Sequence, residues 1–182
     1  MTRAVFVDRD GVLNVAYVRD GKPLSPDTIE EMVIVPDAAE ALGRLREHGF
    51  RLILVTNKPD VRRGRITREQ VEAMNAHIRE NVPLDAVEVC LHDDADNCDC
   101  RKPKPGMLLH AAKCDGIALE ESFMIGDRWR DIEAGHSAGC RTILIGDGYS
   151  ETFPTQPDAT FGSLTEAVAW ILKQPVTPQG RT

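Results

Sequence analysis

Residues 4–11 read AVFVDRDG, a run of four apolar residues followed at once by two acidic residues and a glycine. The apolar run predicts a short buried strand that ends at Asp8. Carboxylates as close as those of Asp8 and Asp10 repel each other unless a cation or a shared proton relieves them. Mg²⁺, which prefers oxygen ligands, would supply that positive charge. Taken alone, the stretch fits a strand-end turn with solvated acidic side chains equally well.

Similar apolar runs recur along the chain and alternate with segments of helical periodicity. The further predicted strands are residues 51–55, 86–91, 123–125 and 142–145. This alternation predicts an α/β fold, a Rossmann-like three-layer sandwich with a mostly parallel central sheet. No repeat or long linker interrupts the pattern. We therefore expect a single domain over residues 1–174, followed by a frayed tail over residues 175–182.

Polar side chains stand just past the ends of three predicted strands. Asp8 follows the first strand, Thr56 the second and Asp127 the strand over residues 123–125. In open α/β sheets, ligands bind in the crevice outside the carboxyl ends of the strands. The sequence therefore predicts that these three segments contribute to one site.

The five cysteines are unevenly distributed, which favours a metal site over a disulfide framework. Three thiols and one imidazole lie close together: Cys90, His92, Cys98 and Cys100. Such a closed set of four ligands is typical of structural zinc. It would hold the loop that leads into Lys102, although a chance cluster of reduced cysteines is the alternative. We expect the two remaining cysteines to be small buried packing residues: Cys114 and Cys140.

Composition excludes several classes of protein. The net charge of −7 over 182 residues argues against a general nucleic-acid binder, which would present a basic surface. The sequence has no apolar run near the roughly 18 to 20 residues that span a bilayer. The N-terminus lacks the apolar stretch of a signal peptide. We therefore expect a cytoplasmic protein, a monomer, with no membrane and no nucleic-acid partner.

Four short motifs occur in a fixed order along the chain. They are residues 5–12 (VFVDRDGV), 54–57 (LVTN), 100–103 (CRKP) and 125–128 (IGDR). In this order they resemble the motifs of the haloacid dehalogenase (HAD) superfamily of phosphatases. The resemblance covers most of the chain and implies a HAD-like fold without an inserted cap domain.

The same resemblance implies catalytic roles. Asp8 would attack phosphorus and form an aspartyl-phosphate, and Asp10 would protonate the leaving alcohol and then activate water. Thr56 and Lys102 would hold the phosphoryl oxygens. Asp127 would bind Mg²⁺ together with Asp8 and the backbone carbonyl of Asp10.

Asp131 follows Asp127 by four residues and is open to two interpretations. It would either orient the metal shell or cap the helix that begins near it.

The spacing CxH…CxC followed by Arg-Lys-Pro resembles the capless branch that contains heptose bisphosphate and histidinol-phosphate phosphatases. The resemblance implies a phosphorylated sugar as substrate, and we favour the 7-phosphate of D-glycero-D-manno-heptose 1,7-bisphosphate. Expected substrate-binding residues are Asn57, Arg63, Arg101 and Arg128. The pair Lys58-Pro59 departs from the Gln-Ser usual in the heptose enzymes, so histidinol phosphate or another small sugar phosphate is the alternative.

Two non-enzymatic classes share part of the pattern. A zinc-stapled binding module would keep the cysteine cluster but would not need the motif residues in their order. A phosphoryl-transfer receiver would keep an acceptor aspartate, whereas a second aspartate two residues later favours turnover. The sequence therefore indicates an enzyme.

Overall fold

The centre of the protein is a six-stranded sheet, seen in a computed structural model that describes residues 2–19 and 22–175. Its strands are β1 (Arg3–Val7), β4 (Phe50–Asn57), β5 (Ala86–Cys90), β6 (Phe123–Gly126), β7 (Arg141–Ile145) and β8 (Ala159–Phe161). Their order across the sheet is β5-β4-β1-β6-β7-β8, and every neighbouring pair is parallel. A separate antiparallel hairpin pairs β2 (Tyr17–Arg19) with β3 (Lys22–Leu24).

Helices cover both faces of the sheet. They are α1 (Ala38–Glu47), α2 (Pro59–Arg62), α3 (Arg68–Asn81), α4 (Gly106–Asp115), α5 (Trp129–Ala138) and α6 (Leu164–Ile171). Because side chains alternate along a strand, Val5 and Val7 of β1 pack with α1, α3 and α6, whereas Phe6 packs with α4 and α5. The predicted three-layer α/β sandwich is confirmed.

Two helices, α3 and α6, begin at the capping residues that the sequence contains. Thr67 accepts a hydrogen bond from the amide of Gln70, and Gln70 returns one to the amide of Thr67, which forms the expected capping box of α3. Ser163 caps α6 by accepting a hydrogen bond from the amide of Glu166. The sequence did not reveal the hairpin, α2 or β8, since elements of three or four residues carry too little periodicity.

The strand order creates a switch point beside β1. β1 pairs with β4 on one side and with β6 on the other, so the chain reverses its direction of growth across the sheet there. The carboxyl ends of these three strands present Asp8, Thr56 and Asp127 at one edge, which is where ligands bind in such sheets. Over residues 2–19 and 22–175, no helix has the length and hydrophobicity to cross a membrane. Residues 176–182 of the predicted tail lie outside the described part.

Candidate active site

A small cavity of about 90 Å³ opens at the carboxyl ends of β1, β4 and β6. Its polar lining comes from the predicted motifs and their neighbours: Asp8, Asp10, Ser25, Thr56, Asn57, Lys102, Asp127, Arg128, Arg130 and Asp131. The structure therefore brings together all four motifs, which are spread over more than a hundred residues of sequence. Ser25 and Arg130 were not among the residues predicted from the sequence.

Lys102 is buried at the floor of this cavity. Its Nζ donates to Asp8 Oδ1 at 2.8 Å and to the carbonyl of Val55 at 2.8 Å, and it lies 2.6 Å from Asp131 Oδ1. Burial alone would lower the pKa of Lys102, but the charges of Asp131 and Asp8 outweigh burial and raise it. The ammonium is therefore a fixed positive charge beside Asp8.

Asn57 attaches the loop that carries Lys102 to the end of β4. Its Nδ2 donates to the Lys102 carbonyl at 2.9 Å, and its Oδ1 accepts from the Lys102 amide at 3.1 Å. This paired hydrogen bond leaves the side chain little freedom to reach a ligand. Asn57 was predicted to bind substrate, and in the structure its amide is occupied in positioning the lysine.

Three carboxylates form an acidic cluster beside the lysine: Asp8, Asp127 and Asp131. They place one oxygen each within 4.8 Å of the others, and Asp127 Oδ1 is buried with no hydrogen-bond partner in the described residues. Burial, followed by the charge of Asp8, raises the pKa of Asp127 to about 8. Burial also raises the pKa of Asp8 to about 6, even though Lys102 opposes the shift.

This cluster fits a divalent cation. Two buried carboxylates, a partly buried third one and a single ammonium leave an excess of negative charge, and an orphaned carboxylate oxygen is costly without a partner. An all-oxygen donor set is the type that Mg²⁺ prefers. Asp131 also accepts a hydrogen bond at 3.1 Å from the Arg128 amide at the start of α5. Both interpretations of Asp131 are therefore compatible with its position.

Two glycines allow the backbone to approach these carboxylates. Gly11 has φ of +87°, and a Cβ added to it would lie 1.7 Å from Asp127 Oδ2. A Cβ on Gly126 would lie 2.1 Å from the Cβ of Asp131. Only a residue without a side chain fits at either position, so the acidic cluster depends on both glycines.

Asp10 lines the same cavity but is directed away from the acidic cluster, toward basic residues. Its carboxylate forms ion pairs with Lys58 and Arg9 and accepts a 2.9 Å hydrogen bond from Ser25. Burial would raise the pKa of Asp10, but the charges of Lys58 and Arg9 outweigh burial and lower it. The structure thus groups Asp131, rather than the side chain of Asp10, with Asp8 and Asp127.

Two further contacts of the site were not predicted. The hydroxyl of Tyr149 donates to Asp127 Oδ2 at 2.7 Å. Arg9 is fully buried and donates from Nη1 to Asn75 Oδ1 at 3.0 Å. Arg9 belongs to the first motif, so its position in the sequence could have identified it as a residue of the site. Tyr149 lies in an irregular loop that carries no such signal.

A larger cleft of about 780 Å³ adjoins the cavity. Its wall includes all three predicted substrate-binding arginines, with Arg130 as an addition: Arg63, Arg101, Arg128 and Arg130. The hairpin residues Tyr17 and Leu24 also line it.

Each of the three predicted arginines is held by an acidic partner. The pairs are Arg63–Asp93 at 2.6 Å, Arg101–Asp94 at 2.9 Å and Arg128–Glu151, where Arg128 Nε donates at 3.0 Å. Such pairs order the guanidinium groups at the mouth of the cleft. The cleft therefore presents several oriented cations beside the acidic cluster.

The cysteine cluster lies between β5 and α4. The Sγ atom of Cys100 is 3.3 Å from those of Cys90 and Cys98 and 3.4 Å from His92 Nδ1. Cys90 and Cys98 are 3.6 Å apart. A tetrahedral site with metal–sulfur bonds of ~2.3 Å has sulfur–sulfur edges of about 3.8 Å, close to these spacings. The four side chains could therefore hold one metal ion.

The two other cysteines differ from each other. Cys140 is buried, as expected, and burial raises the pKa of its thiol to about 12. Cys114 is exposed, so its predicted burial is wrong. It lies on α4 next to His110, whose Nε2 is 3.7 Å from its Sγ.

Comparison with known proteins supports the resemblance. A family model described as HAD-hydrolase-like matches residues 99–167. The chain is 34% identical over 157 residues to the D-glycero-β-D-manno-heptose-1,7-bisphosphate 7-phosphatase of Pseudomonas aeruginosa, covering 81% of this chain and 84% of that one. It is 36% identical over 187 residues to the enzyme of the same name from Pasteurella multocida, covering 95% and 96%.

A solved structure agrees with these relatives. The D,D-heptose 1,7-bisphosphate phosphatase from B. bronchiseptica, complexed with magnesium and phosphate, superposes with a TM-score of 0.82 at 25% identity. The match covers 94% of this chain and 99% of that one. The chain is therefore a phosphate-ester hydrolase, and it belongs to the HAD-like hydrolases, in the family of the heptose bisphosphate phosphatases.

Proposed function

We propose that this enzyme removes the 7-phosphate of D-glycero-D-manno-heptose 1,7-bisphosphate in a magnesium-dependent reaction with an aspartyl-phosphate intermediate. The observation that carries the proposal is the cluster of Asp8 with the buried Asp127 and Asp131, beside Lys102, in a chain whose relatives bear that name. A carboxylate cannot approach a phosphate dianion unless neighbouring cations offset the repulsion.

In the first half of the reaction, Asp8 attacks phosphorus and the ester oxygen leaves. Lys102, which donates to Asp8 Oδ1, holds the nucleophile and offsets the charge on the transferring phosphoryl group. Thr56, at the end of β4 and on the cavity wall, supplies a hydroxyl to a phosphoryl oxygen. Asp10 donates a proton to the leaving oxygen and then takes a proton from the water that hydrolyses the intermediate.

The metal would be held by Asp8, Asp127, Asp131 and the backbone carbonyl of Asp10. When bound, Mg²⁺ supplies positive charge for the phosphoryl oxygens and the attacking carboxylate. The unpartnered Asp127 Oδ1 is the atom that most needs this cation. Tyr149 keeps the other oxygen of Asp127 in place.

The arginines of the larger cleft would bind the phosphate that is not removed. Arg63, Arg101 and Arg128 line that cleft, and Arg128 also lines the small cavity. Guanidinium groups bind phosphate through paired hydrogen bonds. A sugar with one phosphate in the cavity would place its second phosphate among them.

The cysteine cluster would be a structural zinc site. Its four ligands are all side chains, so it has no open position for substrate. Arg101 and Lys102 follow Cys100 directly in the sequence. Zinc would therefore fix the segment that places both basic residues.

The test is release of inorganic phosphate from purified protein with and without Mg²⁺. The substrates are the α- and β-anomers of the heptose bisphosphate, and histidinol phosphate. We expect the bisphosphate to give heptose 1-phosphate, identified by ³¹P NMR, with the highest kcat/KM. Faster hydrolysis of histidinol phosphate would replace the proposed substrate. If all three compounds stayed intact with Mg²⁺, the proposal would fail.

A further inference from the structure

Lys58 is a buried lysine next to the active site that the reaction described so far does not use. It follows β4 directly, its whole residue has 0% exposed surface, and it lines neither the small cavity nor the larger cleft. Its amide donates to the carbonyl of Cys90 at 2.7 Å, which fixes the backbone at this point. A buried ammonium is costly unless it is paired, so its partner indicates its role.

That partner is Asp10. Within the described residues, the Asp10 carboxylate is the hydrogen-bond acceptor of the Lys58 ammonium, at Oδ2. Lys58 therefore reaches the cavity only through Asp10, which does line it.

The remaining contacts of Asp10 leave this carboxylate one stable orientation. Oδ1 accepts from Arg9 Nε at 3.3 Å and from Asn14 Nδ2 at 3.2 Å. Oδ2 accepts from Ser25 at 2.9 Å, in addition to the bond from Lys58. Of the four donors, Arg9 and Lys58 are cations, and the pairing between Arg9 and Asp10 is the longer of the two ion pairs.

Lys58 completes a run of three residues that each serve a different part of the site. Thr56 lines the cavity, Asn57 holds the backbone of Lys102 through two hydrogen bonds, and Lys58 holds Asp10. The end of β4 thus sets the position of Lys102, which contacts the nucleophile, relative to Asp10, the acid/base carboxylate.

We propose that Lys58 is a positioning residue for proton transfer, which fixes the Asp10 carboxylate so that it reaches the leaving oxygen. The inference rests on the proposed role of Asp10 as general acid. It has a specific consequence, because protonation matters for a poor leaving group such as a sugar alkoxide and matters little for p-nitrophenolate or acetate.

The test compares kcat/KM for the heptose bisphosphate with kcat/KM for p-nitrophenyl phosphate or acetyl phosphate. In Lys58→Met we expect a loss of about 10²-fold on the sugar ester and less than about tenfold on the activated esters. Lys58→Gln keeps a hydrogen-bond donor and should recover much of the loss on the sugar ester. Lys113→Met, at an exposed position on α4, is the matched control and should resemble the wild type on both.

Two other results would overturn the inference. Equal losses on both classes of ester in Lys58→Met would indicate a purely structural role, and thermal unfolding would show the accompanying instability. Unchanged kcat/KM on the sugar ester would remove Lys58 from the reaction altogether.

Asp10→Asn separates this inference from the role on which it rests. One outcome is that Asp10→Asn lowers kcat/KM for the sugar ester selectively while Lys58→Met does not. In that outcome the role of Asp10 stands and that of Lys58 falls. If Asp10→Asn shows no selectivity, both fall.

Discussion

The active site brings three carboxylates close together, with the ammonium of Lys102 beside them. Asp8, Asp127 and Asp131 each place one oxygen within 4.8 Å of the others, and Lys102 contacts two of them. Asp10 is spared this repulsion because Lys58 and Arg9 pair with it. In the metal-free protein, two carboxylates separated by one residue in the sequence therefore occupy opposite electrostatic environments: the pKa of Asp8 is raised and that of Asp10 is lowered.

Replacing Asp8 by Asn should abolish turnover without unfolding the protein. The amide has nearly the shape of the carboxylate but is not a nucleophile, so we expect kcat to fall by at least about 10³-fold. The unfolding midpoint should change by less than about 5 °C, since a repulsive charge is lost along with one ion pair. Turnover assays and thermal unfolding check both points. Undiminished activity in a folded Asp8→Asn variant would exclude Asp8 as the nucleophile.

The acidic cluster predicts how stability depends on pH without metal. The pKa of Asp127 is raised to about 8 in the folded state, so the folded protein holds a proton that the unfolded chain releases near pH 4. The contribution of Asp127 to stability is therefore fully present below about pH 4 and is lost as pH rises toward 8.

In the metal-free protein, Asp127→Asn should remove much of this loss. We expect the variant to be more stable than the wild type by roughly 2 kcal/mol at pH 8, and to show little advantage near pH 4. Denaturant unfolding at the two pH values, with chelator present, measures the difference. Added Mg²⁺ should stabilise the wild type at pH 8 and have little effect on the variant. The same pH profile in both proteins would contradict this explanation.

Gly11 allows a contact that a side chain would destroy. Gly11→Ala should lower the free energy of unfolding by more than about 2 kcal/mol. The new Cβ would overlap Asp127 Oδ2, and the left-handed backbone would be strained as well. Gly49→Ala is the matched control, since Gly49 has φ of +81° but no atom within 4 Å of the added Cβ. Denaturant unfolding should show a smaller loss for Gly49→Ala. Equal losses would mean that only backbone strain matters.

Among the elements of the fold, the segment between β5 and α4 contributes most to the site although it is largely irregular. It carries the cysteine cluster and then Arg101 and Lys102. The backbone of Lys102 is tied to Asn57 at the end of β4, and the amide of Lys58 is tied to Cys90. The cysteine cluster and the site are therefore attached to the same two strand ends.

Removing the proposed zinc of the cysteine cluster should loosen this segment and reduce activity. We expect Cys98→Ser to lose zinc and to lower kcat/KM at least about tenfold, because Lys102 is no longer held in place. The control is Cys114→Ser, at the exposed cysteine, which should keep both zinc and activity. Elemental analysis and phosphate release measure the two effects. Full activity in zinc-free protein would show that the cluster does not position the lysine.

At the scale of the whole molecule, charge is distributed unevenly. The chain carries a net charge of −7, yet its larger cleft is lined by six arginines: Arg19, Arg63, Arg65, Arg101, Arg128 and Arg130. A negative net charge disfavours non-specific association with polyanions, and a cleft in which arginines outnumber acidic residues attracts a small anionic substrate.

Salt should therefore reduce binding of the bisphosphate. Raising NaCl from about 0.05 M to about 0.5 M should lower kcat/KM severalfold, mainly through KM, because salt screens the arginines. Heptose 7-phosphate is the matched control, since it lacks the second phosphate and should respond less. Steady-state kinetics at several salt concentrations give the comparison. Equal salt effects on both substrates would argue against a second phosphate site in the cleft.

The sequence was sufficient to predict the fold and the main positions of the site. Alternating apolar runs and helical periodicity specify a parallel α/β sheet, and the carboxyl ends of such strands lie at one edge. Asp8, Thr56 and Asp127 were therefore expected to converge, and they do. The close spacing of Cys90, His92, Cys98 and Cys100 in the sequence likewise predicts one cluster, and the four side chains do lie together.

Tertiary structure alone decided which charges face each other. Lys58 meets Asp10 across 48 residues of sequence and Tyr149 meets Asp127 across 22, and no local pattern encodes such contacts. The grouping of Asp131 with Asp8, and the exposure of Cys114, depend in the same way on how helices pack against the sheet. Periodicity in a sequence fixes which face of an element is buried, whereas partners on other elements are fixed only when the chain is folded.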